Sequence, residues 1–376
     1  MKMIDKEKKT MHSLNEFLTS YKELNSNGKY RPVAVGRYGI RTRESIYSKE
    51  LAKDYSKNRV IYKGTLTVGM GSVQMDIGIL SDDVKYSVSP AYHTYKIDGI
   101  DYDYLRYCLQ CRNMDMFTRY MKRGSRQGKS IDLSRWVEYQ IPVYPIDMQL
   151  EIVERLNHVQ KIIDSRKQEI ECLDDLIKAR FVELFGDENN SKKWDVVNVE
   201  DVADVQVGVV IKPSQYYTDE GFGVRAFRSL NIGAGYIKDT DWVYFTEEGH
   251  QKNSKSILKV NDLLIVRSGA PGTACVVTEE YAGYNAIDII IAHPNCEKVN
   301  PYYLCTFTNM PHGKKQIEEG TGGAAQQHFN VGKYNKLQLM LPPKELQDEF
   351  VDFIKQVDKS KFINMFYLSN TWRVSA

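Results

Sequence analysis

The stretch that decides the fold runs from Ile141 to Asp187 and reads IPVYPIDMQLEIVERLNHVQKIIDSRKQEIECLDDLIKARFVELFGD. Apolar residues recur in it at alternating spacings of three and four, which is the repeat of a coiled-coil helix. The helix is predicted to follow Pro145, with Asp147 able to cap it, and to stop at Gly186, a residue that readily adopts a left-handed conformation. From Met148 to Phe185 it would extend roughly 55 Å at 1.5 Å per residue.

An amphipathic helix of this length needs a partner, and the chain offers a second apolar pattern near its C-terminus. The predicted coiled-coil seam combines both segments: Ile152, Leu156, Val159, Ile163, Ile170, Leu173, Ile177 and Leu184 in the first, and Leu346, Phe350, Phe353 and Val357 in the second. The heptad pattern fades after Val357. The second helix is therefore predicted to be shortened and to leave the surface from Ile152 to Ile163 partly uncovered.

Outside these helices the chain repeats itself at a spacing of about 200 residues. YDYLRYCLQC is echoed by NPYYLCTFTN, which aligns Tyr104 with Tyr303, and a similar alignment joins Gly69 to Gly269. The segment before each helix also repeats, and it aligns Pro145 with Pro343 and Gln149 with Gln347. The repeat predicts the α+β class, with two α/β globules joined by two long antiparallel helices in a dumbbell. The predicted boundaries are 1–145 and 187–342 for the globules, and 146–186 and 343–376 for the helices.

Composition limits the compartment and the chemistry. The 376-residue chain has a net charge of +2, a charged N-terminal segment and no unbroken apolar run of the length that a membrane span needs, so a cytoplasmic location is expected. The six cysteines are scattered and are predicted to be reduced thiols. Between Lys29 and Lys63, ten basic residues stand against three acidic ones and alternate with tyrosines, a composition compatible with nucleic-acid binding.

Two motifs suggest an enzyme and are rejected on context. RGSRQGKS, from Arg123 to Ser130, is a phosphate-binding loop with one residue missing, but a helical pattern precedes it and no helix is predicted directly after it. Asn300-Pro-Tyr-Tyr303 lacks the second proline of an adenine methyltransferase loop, and it aligns with Asp101-Tyr-Asp-Tyr104. Both segments are predicted to begin helices, with Asn300 and Asp101 near the caps. No catalytic residue, metal site or cofactor is predicted.

The arrangement resembles the specificity subunit of type I restriction-modification systems. The resemblance covers nearly the whole chain and is carried by Ile141–Asp187, above all its ending ARFVELFGD, and in the second half by VNDLLIVRSGAPGTACVV and LMLPPKELQDEF. It implies that each globule is a target recognition domain reading one half of a split DNA sequence. It also implies that the helices act as a spacer and as the docking surface for two methyltransferase subunits. Methylation and cleavage would then belong to partner subunits, the methyltransferase and the restriction subunit.

Under this resemblance, DNA contacts are expected from cationic and amide side chains, which suit phosphates and base edges. In the first globule these are Arg37, Arg41, Arg43, Lys122, Arg123, Arg126, Gln127 and Lys129. In the second they are Lys212, Arg228, Ser229, Asn231, Arg267, Gln326, Gln327 and His328. The methyltransferase or a second copy of the chain is expected on the uncovered part of the seam. Two alternatives stay open: a recognition region split from a fused restriction enzyme, and a non-catalytic coiled-coil adaptor that binds protein.

Overall fold

The computed structural model describes residues 9–36, 39–46, 54–123, 129–321 and 329–374. The chain divides into two compact units, Met1–Ile162 and Ile163–Ala376. Both units contain strands and helices, so the predicted α+β class is confirmed. In the part of the chain that the structure describes, no helix is long and apolar enough to cross a membrane.

The first unit is built on a four-stranded antiparallel sheet. Its strands are β1 Thr10–Ser13, β2 Leu18–Tyr21, β3 Val33–Gly36, β4 Gly39–Thr42, β5 Arg59–Ile61, β6 Thr65–Met70, β7 Met75–Ile79, β8 Tyr86–Val88, β9 His93–Ile97, β10 Met121–Arg123, β11 Lys129–Ile131 and β12 Gln140–Val143. Its helices are α1 Tyr102–Cys111, α2 Asn113–Tyr120, α3 Leu133–Trp136 and the beginning of α4 Ile146–Phe185. The main sheet has the order β2-β9-β6-β7, and β1 pairs with β12.

The second unit repeats this plan. Its strands are β13 Val196–Asn198, β14 Ala203–Val207, β15 Tyr217–Thr218, β16 Val224–Phe227, β17 Val243–Phe245, β18 Leu263–Val266, β19 Ala274–Val276, β20 Asn285–Ala286, β21 Ile289–Pro294 and β22 Gln338–Met340. Its helices are α5 Glu247–Lys252, α6 Pro301–Asn309, α7 Pro311–Thr321, α8 Val331–Asn335 and α9 Lys344–Val374. The order β14-β21-β18-β19 and the pair β13–β22 match the first unit strand for strand. The sheet β15-β17-β16-β20 is where the second unit departs from the first.

Two buried glutamines at aligned positions make equivalent hydrogen bonds in the two units. Gln149 accepts a hydrogen bond from the Asp101 backbone N–H at 2.9 Å and donates one to the Tyr144 carbonyl at 2.7 Å. Gln347 accepts from the Asn300 N–H at 2.8 Å and donates to the Pro342 carbonyl at 2.8 Å. Each glutamine therefore ties the first turn of a long helix to the start of the short helix that packs beside it.

The aligned tyrosines play equivalent roles as well. The Tyr104 hydroxyl donates to the Pro142 carbonyl at 2.8 Å, and the Tyr303 hydroxyl donates to the Met340 carbonyl at 2.7 Å. The predicted caps are confirmed, since Asp101 accepts from the Tyr104 N–H and Asn300 accepts from the Tyr302 N–H. Thus the sequence repeat corresponds to repeated contacts and not only to repeated secondary structure.

Helix α4 begins at Ile146 and ends at Phe185, and Gly186 follows with φ +90°, the left-handed end that the sequence predicts. Asp147 lies inside the first turn of α4 and does not cap it. A negative side chain there still complements the partial positive charge of the helix N-terminus.

In the second unit, α9 packs antiparallel to the end of α4. Arg180 pairs with Glu349 at 2.9 Å, and Lys361, further along α9, pairs with Asp174 at 2.6 Å. Two phenylalanines that the predicted seam omitted, Phe181 and Phe185, lie at the C-terminal end of α4 and are fully buried. Their rings contact Phe350 at centroid distances of 5.5 and 5.3 Å.

The predicted seam residues differ in burial. Ile163, Phe350 and Val357 are buried. The others are half-buried: Ile152, Leu156, Val159, Ile170, Leu173, Ile177, Leu184, Leu346 and Phe353. Ile152 packs against the hydrophobic core of the first unit, so the surface expected to be uncovered is already partly covered at that end.

Helix α9 is 31 residues long, from Lys344 to Val374. It therefore extends well beyond Val357, where the heptad pattern fades. Beyond Val357, polar residues of α9 contact α4 in place of apolar ones. Lys361 is largely buried beside Asp174, and the buried Asn364 accepts a hydrogen bond from Arg166 at 3.0 Å. Polar residues buried between two paired helices fix their register at some cost in stability.

Candidate nucleic-acid interface

In the second unit, four separate segments meet around Asp288. The Asp288 N–H donates to the Val209 carbonyl at 3.1 Å, and the neighbouring Ile287 N–H donates to the Phe227 carbonyl at 2.8 Å. The Arg267 guanidinium donates to the Asp288 carboxylate and, at 3.2 Å, to the Phe329 carbonyl. Asp288 itself has φ +48°, a conformation uncommon outside glycine. These contacts assemble one surface, called here the Asp288 junction, from parts that are far apart in sequence.

Several predicted residues of the second globule border this junction. Arg267 is a member of it, Arg228 and Ser229 follow Phe227 directly, and Lys212 lies three residues after Val209. The loop that carries Lys212 is fixed, because Val209 forms a parallel bridge to Ile287. Lys212 is exposed and has φ +43°. The structure therefore brings these four predicted residues to one region of the second unit.

The side chains at this region are not equally available to a ligand. Arg267 has only 16% of its side chain exposed, and Arg228 donates to the Asp241 carbonyl. Asn231 is fully buried, accepts from the Arg228 N–H at 2.8 Å and donates to the Thr240 carbonyl at 2.6 Å. Because the oxygen and the nitrogen of its side-chain amide are both hydrogen-bonded within the protein, Asn231 stabilises the loop conformation and offers no hydrogen bond to a ligand.

The first unit carries its predicted residues on two hairpins. Strands β3 and β4 form the hairpin with Arg41, and Arg43 follows it; strands β10 and β11 form the hairpin with Lys122 and Lys129. The β3–β4 hairpin contacts β7, and β11 contacts β6, the partner of β7. Gly78 permits the first contact, because a Cβ there would come within 2.6 Å of Ile40.

Two of the predicted cations of the first unit, Arg43 and Lys122, also have protein partners. Arg43 lies over the Tyr55 ring at 5.2 Å, and Arg41 lines a cavity of about 530 Å³. Lys122 pairs with Asp132 at 2.7 Å, and this ammonium lowers the pKa of Asp132 to about 2. The Lys122 side chain remains 60% exposed, so it can still reach a phosphate while its position is held by Asp132.

Some predicted residues lie outside the described part of the chain, namely Arg37, Arg126, Gln127, Gln326, Gln327 and His328. Arg123 is described only as part of the β10 backbone. The segment that resembles a phosphate-binding loop joins two antiparallel strands, with Arg123 opposite Lys129. A nucleotide-binding loop leads from a strand into a helix, so the structure agrees with its rejection.

Sequence reasoning missed two kinds of residue at the Asp288 junction. Asp288 itself carries the wrong charge for a search directed at cations. Ile211 and Leu230 are apolar, yet they are 79% and 61% exposed beside Lys212 and Ser229. A local signal existed for Ile211, since it occurs in VVIKP, where an apolar run meets Lys-Pro and an extended strand must end.

The sequence of the chain is similar to proteins of one known family. The family model of the type I restriction modification DNA specificity domain matches twice, over residues 7–174 and 191–365. A curated relative, the type I restriction enzyme MjaVIII specificity subunit of Methanocaldococcus jannaschii, is 22% identical over 275 residues. That alignment covers 68% of this chain but only 63% of the relative, which is less than two thirds of its length.

Two solved structures share the fold. The S subunit of a type I restriction-modification system from M. genitalium has a TM-score of 0.52 and 15% identity, covering 100% of this chain and 96% of that one. A chain from a study of complex assembly and conformational transition of the type I R-M system has a TM-score of 0.55 and 16% identity, covering 97% and 95%. At these identities the likeness concerns the fold alone.

Proposed function

Because the chain belongs to the type I restriction modification DNA specificity domain family, we propose that it is the DNA sequence-recognition subunit of a type I restriction-modification complex. The observation that carries the proposal is the duplication. The family model matches once in each half of the chain, and both units have the same order of sheet strands. Two similar but non-identical readers suit a DNA site made of two different half-sequences, whereas a symmetric dimer suits a palindrome.

Each unit would read its half-site with the surfaces described above. In the second unit this is the Asp288 junction, with Lys212, Arg228 and Ser229 at its border. In the first unit it is the pair of hairpins, β3–β4 and β10–β11. Several of these cations already have a protein partner that holds them in place, and a fixed position favours a defined contact over loose attraction to phosphates.

The long helices would act as the spacer and as the docking surface for two methyltransferase subunits, through which the restriction subunit would join the complex. At 40 residues, α4 extends about 60 Å at 1.5 Å per residue, compared with about 34 Å for one turn of duplex. It also exposes the aliphatic side chains Leu150, Ile162, Leu176 and Val182. Exposed aliphatic residues along a helix provide the apolar contact area that a stable subunit interface needs. Methyl transfer and cleavage would reside in the partner subunits.

The test is to express the full chain with a type I methyltransferase partner and to map methylated adenines across the host genome. The expected result is one two-part sequence with a gap of constant length. Arg267→Ala removes the contacts that hold the Asp288 junction together, so it should relax the half read by the second unit and leave the other half unchanged. Arg155→Ala, which removes an exposed helix arginine paired with Glu151, is the matched control and should change neither half.

Two results would count against the proposal. Methylation at a continuous sequence would argue against two readers. Failure of the full chain to bind duplex DNA at low salt, together with binding to a protein partner, would favour the adaptor interpretation, because DNA association depends steeply on salt and is strongest at low salt.

A further inference from the structure

A cluster of lysines and tyrosines on the first unit forms a surface that the predicted DNA contacts do not include. We call it the lysine–tyrosine surface, and its members are Tyr21, Lys29, Tyr30, Tyr62, Lys85 and Lys96. The Lys85 ammonium lies 5.9 Å from the Tyr30 ring centroid and 6.0 Å from that of Tyr62. The Lys96 ammonium lies 5.9 Å from the Tyr62 centroid and 5.8 Å from that of Tyr21. Lys29 lies 5.7 Å from Tyr30, so the rings and cations alternate.

Hydrogen bonds hold the Tyr21 side chain and the Tyr30 backbone of this surface in place. The Tyr21 hydroxyl contacts Thr65 at 2.8 Å and the Val60 carbonyl at 3.0 Å. The Tyr30 backbone is fixed by Asn25, a buried residue whose carbonyl oxygen accepts from the Tyr30 N–H at 3.1 Å. Tyr21 and Tyr62 lie 5.3 Å apart. A lysine over a fixed ring loses part of its rotamer freedom before any ligand arrives, so the three ammonium groups are partly pre-positioned.

The chemistry of the surface favours a repeating anion. All three lysines are exposed, and the Glu23 carboxylate lies close enough to Tyr21 to contribute to the raised pKa of its hydroxyl. Proteins that bind single strands stack bases on open aromatic faces, but here lysines already cover the tyrosine rings. A row of fixed ammonium groups therefore suits the phosphates of a duplex backbone better than it suits unstacked bases.

The surface also adjoins the candidate interface of the first unit. Tyr30 lies three residues before β3, and Pro32 between them bridges to Ser87, two residues after Lys85. A duplex whose base edges meet the β3–β4 hairpin would thus have its backbone within reach of these lysines. From this geometry we propose that the lysine–tyrosine surface binds the phosphate backbone of duplex DNA and adds sequence-independent affinity. The inference rests on the proposed function.

The experiment measures binding of the full chain to its cognate duplex and to a scrambled duplex across a range of salt concentrations. The test variant combines Lys29→Gln, Lys85→Gln and Lys96→Gln. Each lost phosphate contact should lower the slope of log affinity against log salt by about 0.9, or about 2.7 for three. Over a fourfold rise in salt, the wild-type chain should therefore lose about 40-fold more affinity than the variant. The loss at low salt should be equal on both duplexes.

Two further variants serve as controls. The same three lysines changed to arginine keep the charge and should keep the wild-type slope. The matched control changes Lys161, Lys167 and Lys359, exposed lysines of the long helices, to glutamine and should also keep it. Equal melting curves would show that all variants fold.

Each remaining outcome has one meaning. An unchanged slope in the test variant overturns the inference and leaves the proposed function intact, provided that the wild-type chain still prefers its cognate duplex. A loss confined to the cognate duplex also overturns it, because that result marks a base contact. A wild-type chain that shows no preference for any sequence refutes the proposed function itself, and the inference falls with it.

Discussion

Replacing Gln347 by methionine is expected to destabilise the second unit by about 2–4 kcal/mol. Gln347 is fully buried, and methionine has a similar length and fills the same space. The change removes two hydrogen bonds of 2.8 Å and leaves the Asn300 N–H and the Pro342 carbonyl without partners. Each buried polar group left unsatisfied costs about 1–3 kcal/mol, and some relief by water is expected.

Urea unfolding followed by circular dichroism measures this loss, and amide hydrogen exchange tests its cause. The Asn300 amide should exchange about tenfold faster in the variant, because its acceptor is gone. Gln149→Met should destabilise the first unit by a similar amount, since Gln149 makes two equivalent bonds. Gln356→Met, at an exposed position of α9, is the matched control and should change stability by less than about 0.5 kcal/mol. A Gln347→Met variant as stable as this control would refute the reasoning.

Three other predictions follow from single contacts. Phe181→Ala should lower the free energy of unfolding in urea by about 3–5 kcal/mol, because the ring is fully buried among aromatic side chains. A loss below about 1 kcal/mol would contradict the packing described. Gly186→Ala should lower the free energy of unfolding by about 1–2 kcal/mol, since φ at Gly186 is +90° and the new Cβ would lie 2.7 Å from the Ser191 hydroxyl. An unchanged unfolding midpoint would argue against the left-handed end of α4. Lys122→Gln should raise the pKa of Asp132 from about 2 toward its usual value. In the wild type, the stability that comes from this depressed pKa is present above pH 4 and is lost as the pH falls toward 2. The variant should therefore lose less stability over that pH range. An NMR titration measures the pKa of Asp132, and unfolding at a series of pH values measures the stability.

The alignment of the repeat and two of its helix caps were readable in the sequence, because each depends on one residue at one place. Gln149 and Gln347 stand four residues after aligned prolines, and Tyr104 and Tyr303 stand in aligned helical segments. A helix cap or a buried amide needs a specific side chain at a fixed distance along the chain, and such a requirement leaves a local pattern.

The seam was only partly predictable for the opposite reason. The heptad register placed Ile177 and Leu184 in the seam and passed over Phe181 and Phe185, which enter the core of the second unit as well as the helix pair. It also ended the predicted seam at Val357, because Lys361 and Asn364 are polar. Their burial depends on Asp174 and Arg166 on the other helix, and no reading of one helix alone supplies that information.

The sequence by itself determined the duplication, the two long helices, the N-terminal caps of α1 and α6 and the α+β class, since all of these follow from periodicity and from residues near each other in the chain. Only the tertiary structure decided which side chains share a surface. Asp288 gathers segments that are separated by up to about a hundred residues, and Lys85 and Lys96 meet Tyr21, Tyr30 and Tyr62 through the folding of the sheet. Contacts of this kind depend on strand pairing over long distances, which a local pattern does not encode.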